Sequence, residues 1–474
     1  MRNLKSAATV SAVSLTLAAG LGIVGAQNAS AVELYNKDGT KFEFTAEIGA
    51  GVFHNTEDFT AAARDNVSWS EGYAIMGFKA EQALDANWTA FGAFTGVVNG
   101  VRGQGDPIGS SIGNESGGQV QDAYAGLSWK AGPEGGASAK LSGGRQKWVL
   151  GDGFLIAGDQ PTGGRGFGEQ YNEDGGYYLN PRRVFSQTAI LSVETGTPFR
   201  FDAFYIESEK GYNGQRSIAG GSIDYVDPTY GTIGVTYIRG IDIEKPGFVL
   251  APATSASEDM DLYSVHGNTS LGIKDFGLAF TYANEQSDAT ATHNGLDAWA
   301  FYISPSYTFS SAMWTPTVYY RYASFSGDDV NTAANEGYDP LFYGATGWNT
   351  WFIGEIAANY SGPFSQNANV HSIGLKTAPN IDLGIGKLTG LSGYLNIYSL
   401  REPEAFVGFT ANAGPNATSS YFGTELAVYA EMQLFENLYV APLYSVLFPG
   451  SGYESAYGQS DNVHNFQLSA ILTY

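Results

Sequence analysis

Period-two alternation of apolar and polar residues recurs along most of the chain. Between Lys41 and Val52, Phe42, Phe44, Ala46, Ile48, Ala50 and Val52 share one parity. Lys41, Glu43, Thr45, Glu47, Gly49 and Gly51 share the other. In a strand successive side chains point to opposite faces, so this pattern predicts one apolar and one polar face. The stretch 422–433 repeats it, with Leu426, Val428, Ala430 and Met432 opposed to Glu425, Tyr429, Glu431 and Gln433. The closing residues FQLSAILTY alternate in the same way and end on an aromatic.

The alternating segments predict strands over 41–53, 69–83, 87–99, 119–131, 137–148, 184–194, 199–209, 217–227 and 231–240. A second set follows over 259–271, 276–286, 297–309, 315–325, 369–378, 389–400, 420–434, 437–448 and 463–474. That makes 18 strands, with 16 as the alternative. Their connections alternate between short ones, such as 84–86, 196–198 and 228–230, and long ones, such as 100–118, 149–183, 326–368 and 401–419. Short turns at one end and long loops at the other predict an all-β, closed antiparallel transmembrane barrel. Residues 349–360 also alternate, but counting them makes an odd total. They are therefore assigned to a long loop, with folding into the pore as one option. Closure explains an ending inside a strand: lipid offers no partner to an open edge, so the last strand pairs with the first.

Composition agrees. Tyr (30), Phe (28) and Gly (62) are abundant, and no cysteine is present. Arg2 and Lys5 precede an apolar stretch that ends at Ala29-Ser30-Ala31. This reads as a cleaved signal peptide over 1–31, leaving 32–474 as the barrel. The formal net charge of −23 argues against a nucleic-acid partner. Five scattered histidines and the lack of HExxH or GxSxG give no support for an enzyme. The sequence suggests no cofactor and no metal site.

Two families of Gram-negative outer-membrane channels are resembled. Residues 32–39 (VELYNKDG), Gly77–Glu81, Trp88–Gly92, Ala123–Leu127 and Gly144–Gln146 resemble general porins over the first third. Ile75 and Gln121 stand where those porins commonly carry wall arginines. Gly144–Ile156, Tyr338–Gly344, Trp351–Ile356, Phe422–Leu426 and Pro449-Gly450 are similar to the alginate-export family. The second resemblance implies an 18-stranded barrel. The first implies trimers and the second a monomer, so the oligomeric state stays open.

A pore selects by the charges at its narrowest ring. The candidate constriction loop is 149–183, in which Arg165 could face Glu169 or Asp174, with Glu173 beside them. Arg145, Lys147, Arg182 and Arg183 bracket it. Arg239 and Arg321 sit on strands and are placed toward the lumen, because a guanidinium facing lipid at mid-depth costs about 2–4 kcal/mol. Arginine forks bind carboxylates in pairs, which suits uronates and other small organic anions. Local ion pairing that merely holds the barrel round is the alternative for each residue. Tyr319, Tyr322, Tyr394, Tyr398 and Tyr429 could stack on sugar rings, though an interfacial girdle is preferred for most of them. The expected function is passage of small hydrophilic solutes across the outer membrane, with acidic sugars as the favoured class. A general ion-permeable porin, and an adhesin or phage receptor, are the alternatives.

Overall fold

The computed structural model describes residues 31–58, 66–132, 136–159, 164–168, 172, 174–176, 178–209, 214–246, 258–289, 294–343, 355–357, 366–406 and 417–474. The expected signal peptide thus lies almost wholly outside the described residues, as do Glu169 and Glu173.

A short strand β1 (Val32–Lys37) leads into β2 (Thr40–Asn55), β3 (Val67–Ala83), β4 (Trp88–Gly103), β5 (Ser116–Lys130) and β6 (Ser138–Arg145). Next come β7 (Gln187–Glu194), β8 (Phe199–Glu207), β9 (Gly214–Asp227), β10 (Gly231–Pro246) and β11 (Asp261–Thr269). The chain continues through β12 (Phe276–Ser287), β13 (Leu296–Thr308), β14 (Thr317–Phe325), β15 (Ala368–Thr377) and the two-residue β16 (Ile381–Asp382). It ends with β17 (Gly386–Leu400), β18 (Tyr421–Leu434), β19 (Leu438–Pro449), the helix α1 (Ser451–Tyr457) and β20 (Val463–Thr473). Every paired strand runs antiparallel to its neighbours.

β20 pairs with β2 from Glu47 opposite Thr473 to Asn55 opposite Asn465, and this seam closes the wall. Tyr474 adds two backbone hydrogen bonds to Ala46, at 2.7 and 2.8 Å. The wall is a closed 18-stranded antiparallel barrel, formed by β2–β15 and β17–β20. Each of the 18 expected strands has its counterpart. Two strands were missed because they are short. β1 pairs with residues 40–44 of β2, on the edge where β20 has run out. β16 pairs with two residues of β17.

The alternation decides which side each residue takes. On β2, Ile48 and Val52 are exposed while Gly49, Gly51 and Phe53 are buried. On β20, Phe466 and Leu468 are exposed while Asn465, Gln467 and Ser469 are buried. The outward face is therefore an apolar skin, as a spanning barrel requires. Aromatic residues mark both ends of that face, with Phe42, Trp88, Phe199 and Tyr230 near the short turns and Tyr421 and Phe448 near the long loops. Among the described residues no helix is long and apolar enough to cross a membrane.

Candidate functional site

The inward face is polar near the short turns but apolar toward the long loops. Ile206, Ile218, Ile238 and Leu262 all face inward on β8–β11 and are fully buried. Left bare, they would line a channel with wetted hydrocarbon. Two infolded loop segments cover them, and both sit in the same apolar cluster. One contributes Phe154, Leu155 and Ile156 from the connection β6–β7; the other contributes Tyr338, Leu341 and Phe342 from β14–β15. The burial of this apolar area supplies the force that holds them inside.

The two segments also bond to each other. Ile156 and Phe342 form a parallel bridge. Ala157 N–H donates to Phe342 O at 2.8 Å, and Phe342 N–H donates to Leu155 O at 3.1 Å. Arg216 on β9 donates to the Asp339 carboxylate at 2.5 Å, and its guanidinium lies 4.9 Å from the Phe342 ring centroid. Both charged groups are almost fully buried. Tyr302 on β13 donates to Asp152.

The basic residues that bracket the first loop do meet in space. Gly144, at φ +120, bends the end of β6 where a side chain would collide with Ala123 O. The chain then returns through Arg182 and Arg183 to β7. Phe185 N–H donates to Gln146 O at 3.1 Å, which ties the two stems together. Arg145 and Arg182 both grip the Glu209 carboxylate. Burial raises the Glu209 carboxyl, but the two arginines outweigh it and hold it below its ordinary value. Arg183 is buried and donates to Asp159 O at 3.3 Å. Its enclosure pushes the guanidinium down to about 10. Lys147 is solvent-exposed yet enclosed by the wall. That enclosure, followed by the charge of Arg183, pushes its ammonium down to about 8, against the pull of Glu47 and Asp122.

Glu47 and Asp122 lie on β2 and β5. Glu47 accepts from Tyr73 OH at 2.7 Å, and Asp122 accepts from Thr95 Oγ1 at 2.6 Å. One sector of the inner wall is therefore charged, with basic loop stems near wall carboxylates. Toward the long loops the opposite wall is apolar and covered by the infolded segments. Asp122 and the inward Lys376 on β15 were missed by sequence reasoning. Their signal was present as polar residues of inward parity, but such residues are too common to single out.

The other candidates separate. The backbone N–H of Arg165 donates to Glu115 at 3.2 Å, and its side chain is exposed. Asp174 accepts from Gln119 on β5 at 3.3 Å. Arg321 faces inward on β14, fully buried, with its guanidinium 5.5 Å from the Tyr302 ring and 6.0 Å from the Tyr319 ring. Arg239 does not reach the lumen. It shares parity with the exposed Tyr237, at the long-loop end of β10, and pairs with Asp259 at 2.7 Å and Asp261 at 3.1 Å. At that end an outward arginine is close to water, so the cost assumed at mid-depth does not apply. The girdle preferred for the tyrosines holds only for Tyr322, which stacks outside on His371 at 4.6 Å. Tyr319, Tyr394, Tyr398 and Tyr429 are buried on the inward side.

No family model matches the chain, and no curated protein matches it. Solved structures do. The chain is similar to Pseudomonas aeruginosa OccK2 (OpdF), with a TM-score of 0.54 at 12% identity over 91% of this chain and 97% of that one. It is similar to P. aeruginosa OccK5 (OpdH), at 0.53 and 13% over 91% and 98%. P. aeruginosa OpdQ gives 0.52 and 13% over 93% and 99%. One structure of OccK2 is a complex with glucuronate, and it aligns at a TM-score of 0.52 and 12% identity over 91% of this chain and 98% of that one. These neighbours are outer-membrane porins of Gram-negative bacteria, and the likeness is one of fold: this chain has a porin-like 18-stranded barrel.

Proposed function

We propose that this chain is an outer-membrane porin, a non-enzymatic channel for the passive passage of small hydrophilic solutes. The observation that carries the reading is the pairing of an apolar outer skin with a charged sector on the inner wall. A soluble β-protein has no use for the first, and a sealed barrel has no use for the second. The described segments of loops 149–183 and 326–368 narrow the lumen and leave solutes the charged sector as their route. Arg145, Lys147, Arg182 and Arg183 flank that route and act as a basic approach for carboxylates. Acidic sugars are the favoured class, a reading supported by the glucuronate complex of a protein with this fold. Arg165 and Asp174 are assigned to the mouth of the same route, while Glu169 and Glu173 lie outside the described residues.

A second reading has its own support. Glu43, Glu47, Asp122 and Glu431 also face the lumen, in a chain with 47 acidic against 24 basic residues. These would suit a cation-preferring general porin. Single-channel recording across a salt gradient separates the two. Anion preference with block by added glucuronate supports the first reading. Cation preference without block supports the second. The absence of any opening in a folded sample refutes both.

A further inference from the structure

We propose that Glu425 is the positioning residue of the second infolded loop: its carboxylate fixes the turn at residues 355–357 inside the barrel and so sets the cross-section left for solutes. The tether stands on geometry alone; the cross-section rests on the porin reading above.

Glu425 lies in the long-loop half of β18 with inward parity and is fully buried. Three successive backbone amides of the loop converge on it. Glu355 N–H donates to Oε1 at 2.7 Å and Ala357 N–H to Oε2 at 3.0 Å. Ile356 N–H bridges the two oxygens at 3.2 and 3.3 Å. Such a run of N–H groups forms a concave nest for one anion. The hydroxyl of Tyr398 on β17 donates to Oε2 at 3.4 Å and is itself held by Asn396 at 2.9 Å. From β20, Gln467 donates to the Glu355 carboxylate at 3.0 Å, so the acidic side chain of the loop has its own partner.

The barrel does not need this side chain. Glu425 is held in the wall by backbone pairing with Asn396 and Leu447. Its carboxylate is spent on the loop, and a buried charge is retained only where hydrogen bonds offset its desolvation. Inward carboxylates also accept from loop amides at two other places, with fewer bonds. Glu71 on β3 accepts from Tyr178 N–H at 3.1 Å and Leu179 N–H at 2.8 Å. Glu285 on β12 accepts from Asp339 N–H at 2.9 Å. With the Ile156–Phe342 bridge between the loops, the tethers at β3, β12 and β18 fix described segments of both loops at three places on the inner wall.

The chain has no cysteine, so a single engineered thiol reports without background. Ala357→Cys is introduced into the full chain, and its reaction with a charged methanethiosulfonate is timed in detergent and in liposomes. Adding Glu425→Gln replaces one acceptor oxygen by a donor and strips at least one amide of its partner. Labelling is expected to accelerate about tenfold or more, since charge-assisted hydrogen bonds to a buried carboxylate are lost. Glu425→Asp keeps the charge but falls short of the nest, and an intermediate rate is expected even if the glutamine variant folds poorly. Thr424→Ser, on the outward face, should leave the rate unchanged. Equal rates in the parent, Glu425→Gln and Glu425→Asp proteins overturn the tether. Single-channel conductance should rise and become noisier in Glu425→Gln, and an unchanged conductance overturns its role in setting the cross-section. If the parent passes no current, the porin reading falls while the labelling rates still decide the tether.

Discussion

Lys147 shows how position converts an ordinary side chain into a titrating one. Its ammonium is held down to about 8 by enclosure and by Arg183. It is charged at pH 6 and largely neutral at pH 9.5. Anion preference, read from the reversal potential in a salt gradient, is therefore expected to fall as pH rises through about 8. In Lys147→Gln the step should vanish and preference should sit at the high-pH level throughout. Arg216 gives a second test at this scale. Its guanidinium offsets Asp339 and the adjacent Glu285, all three buried. Arg216→Met would leave two carboxylates without a counter-charge, and a loss of about 3–5 kcal/mol is expected in urea unfolding monitored by tryptophan fluorescence. Removing one of the two acids with Asp339→Asn in the same chain should recover part of it.

At the scale of elements, the strands obey a two-sided rule that a single substitution can probe. Leu468 faces outward midway along β20. Leu468→Arg is expected to destabilise the folded barrel in lipid by about 2–4 kcal/mol, whereas Phe435→Arg at the short-turn rim should cost about 0–1. Equal costs would mean that the outward face is not in lipid. The inward face obeys a packing rule. A side chain at Gly374 would begin 2.2 Å from the Tyr319 ring, which lies flat over this glycine. Gly374→Val should therefore cost about 1–3 kcal/mol by overpacking, and the thermal unfolding midpoint would report it. Elements were legible in the sequence to this same depth. Alternation marked all the wall strands and both faces of β2 and β20, because period two is a local property. β1 was not marked, since six residues carry too little alternation to stand out.

For the whole molecule, the balance between skin and lumen governs behaviour. The net charge of −23 describes neither, because the outward belt is apolar and much of the inner wall is covered. Selectivity should follow the charged sector instead. Neutralising Arg145 and Arg182 together frees Glu209, so the double variant Arg145→Gln/Arg182→Gln is expected to move the reversal potential toward cations by more than Lys147→Gln alone. An unchanged potential would place the solute route elsewhere in the barrel.

The sequence by itself determined the barrel: the strands, their alternating faces, the order of short and long connections, and closure through the final strand. Those follow from spacing along the chain and from the demand that lipid leave no backbone group unpaired. It also marked the stems Arg145, Lys147, Arg182 and Arg183, whose neighbourhood follows from one loop leaving and returning to adjacent strands. Only the tertiary structure decided what the loops do. That Ile156 meets Phe342, that Glu71 and Glu425 seize loop amides, and that Arg239 points outward all depend on contacts between residues far apart in the chain. Parity says that a carboxylate faces inward. Whether it meets water or the backbone of a folded loop is set by how the loops fill the space within the wall.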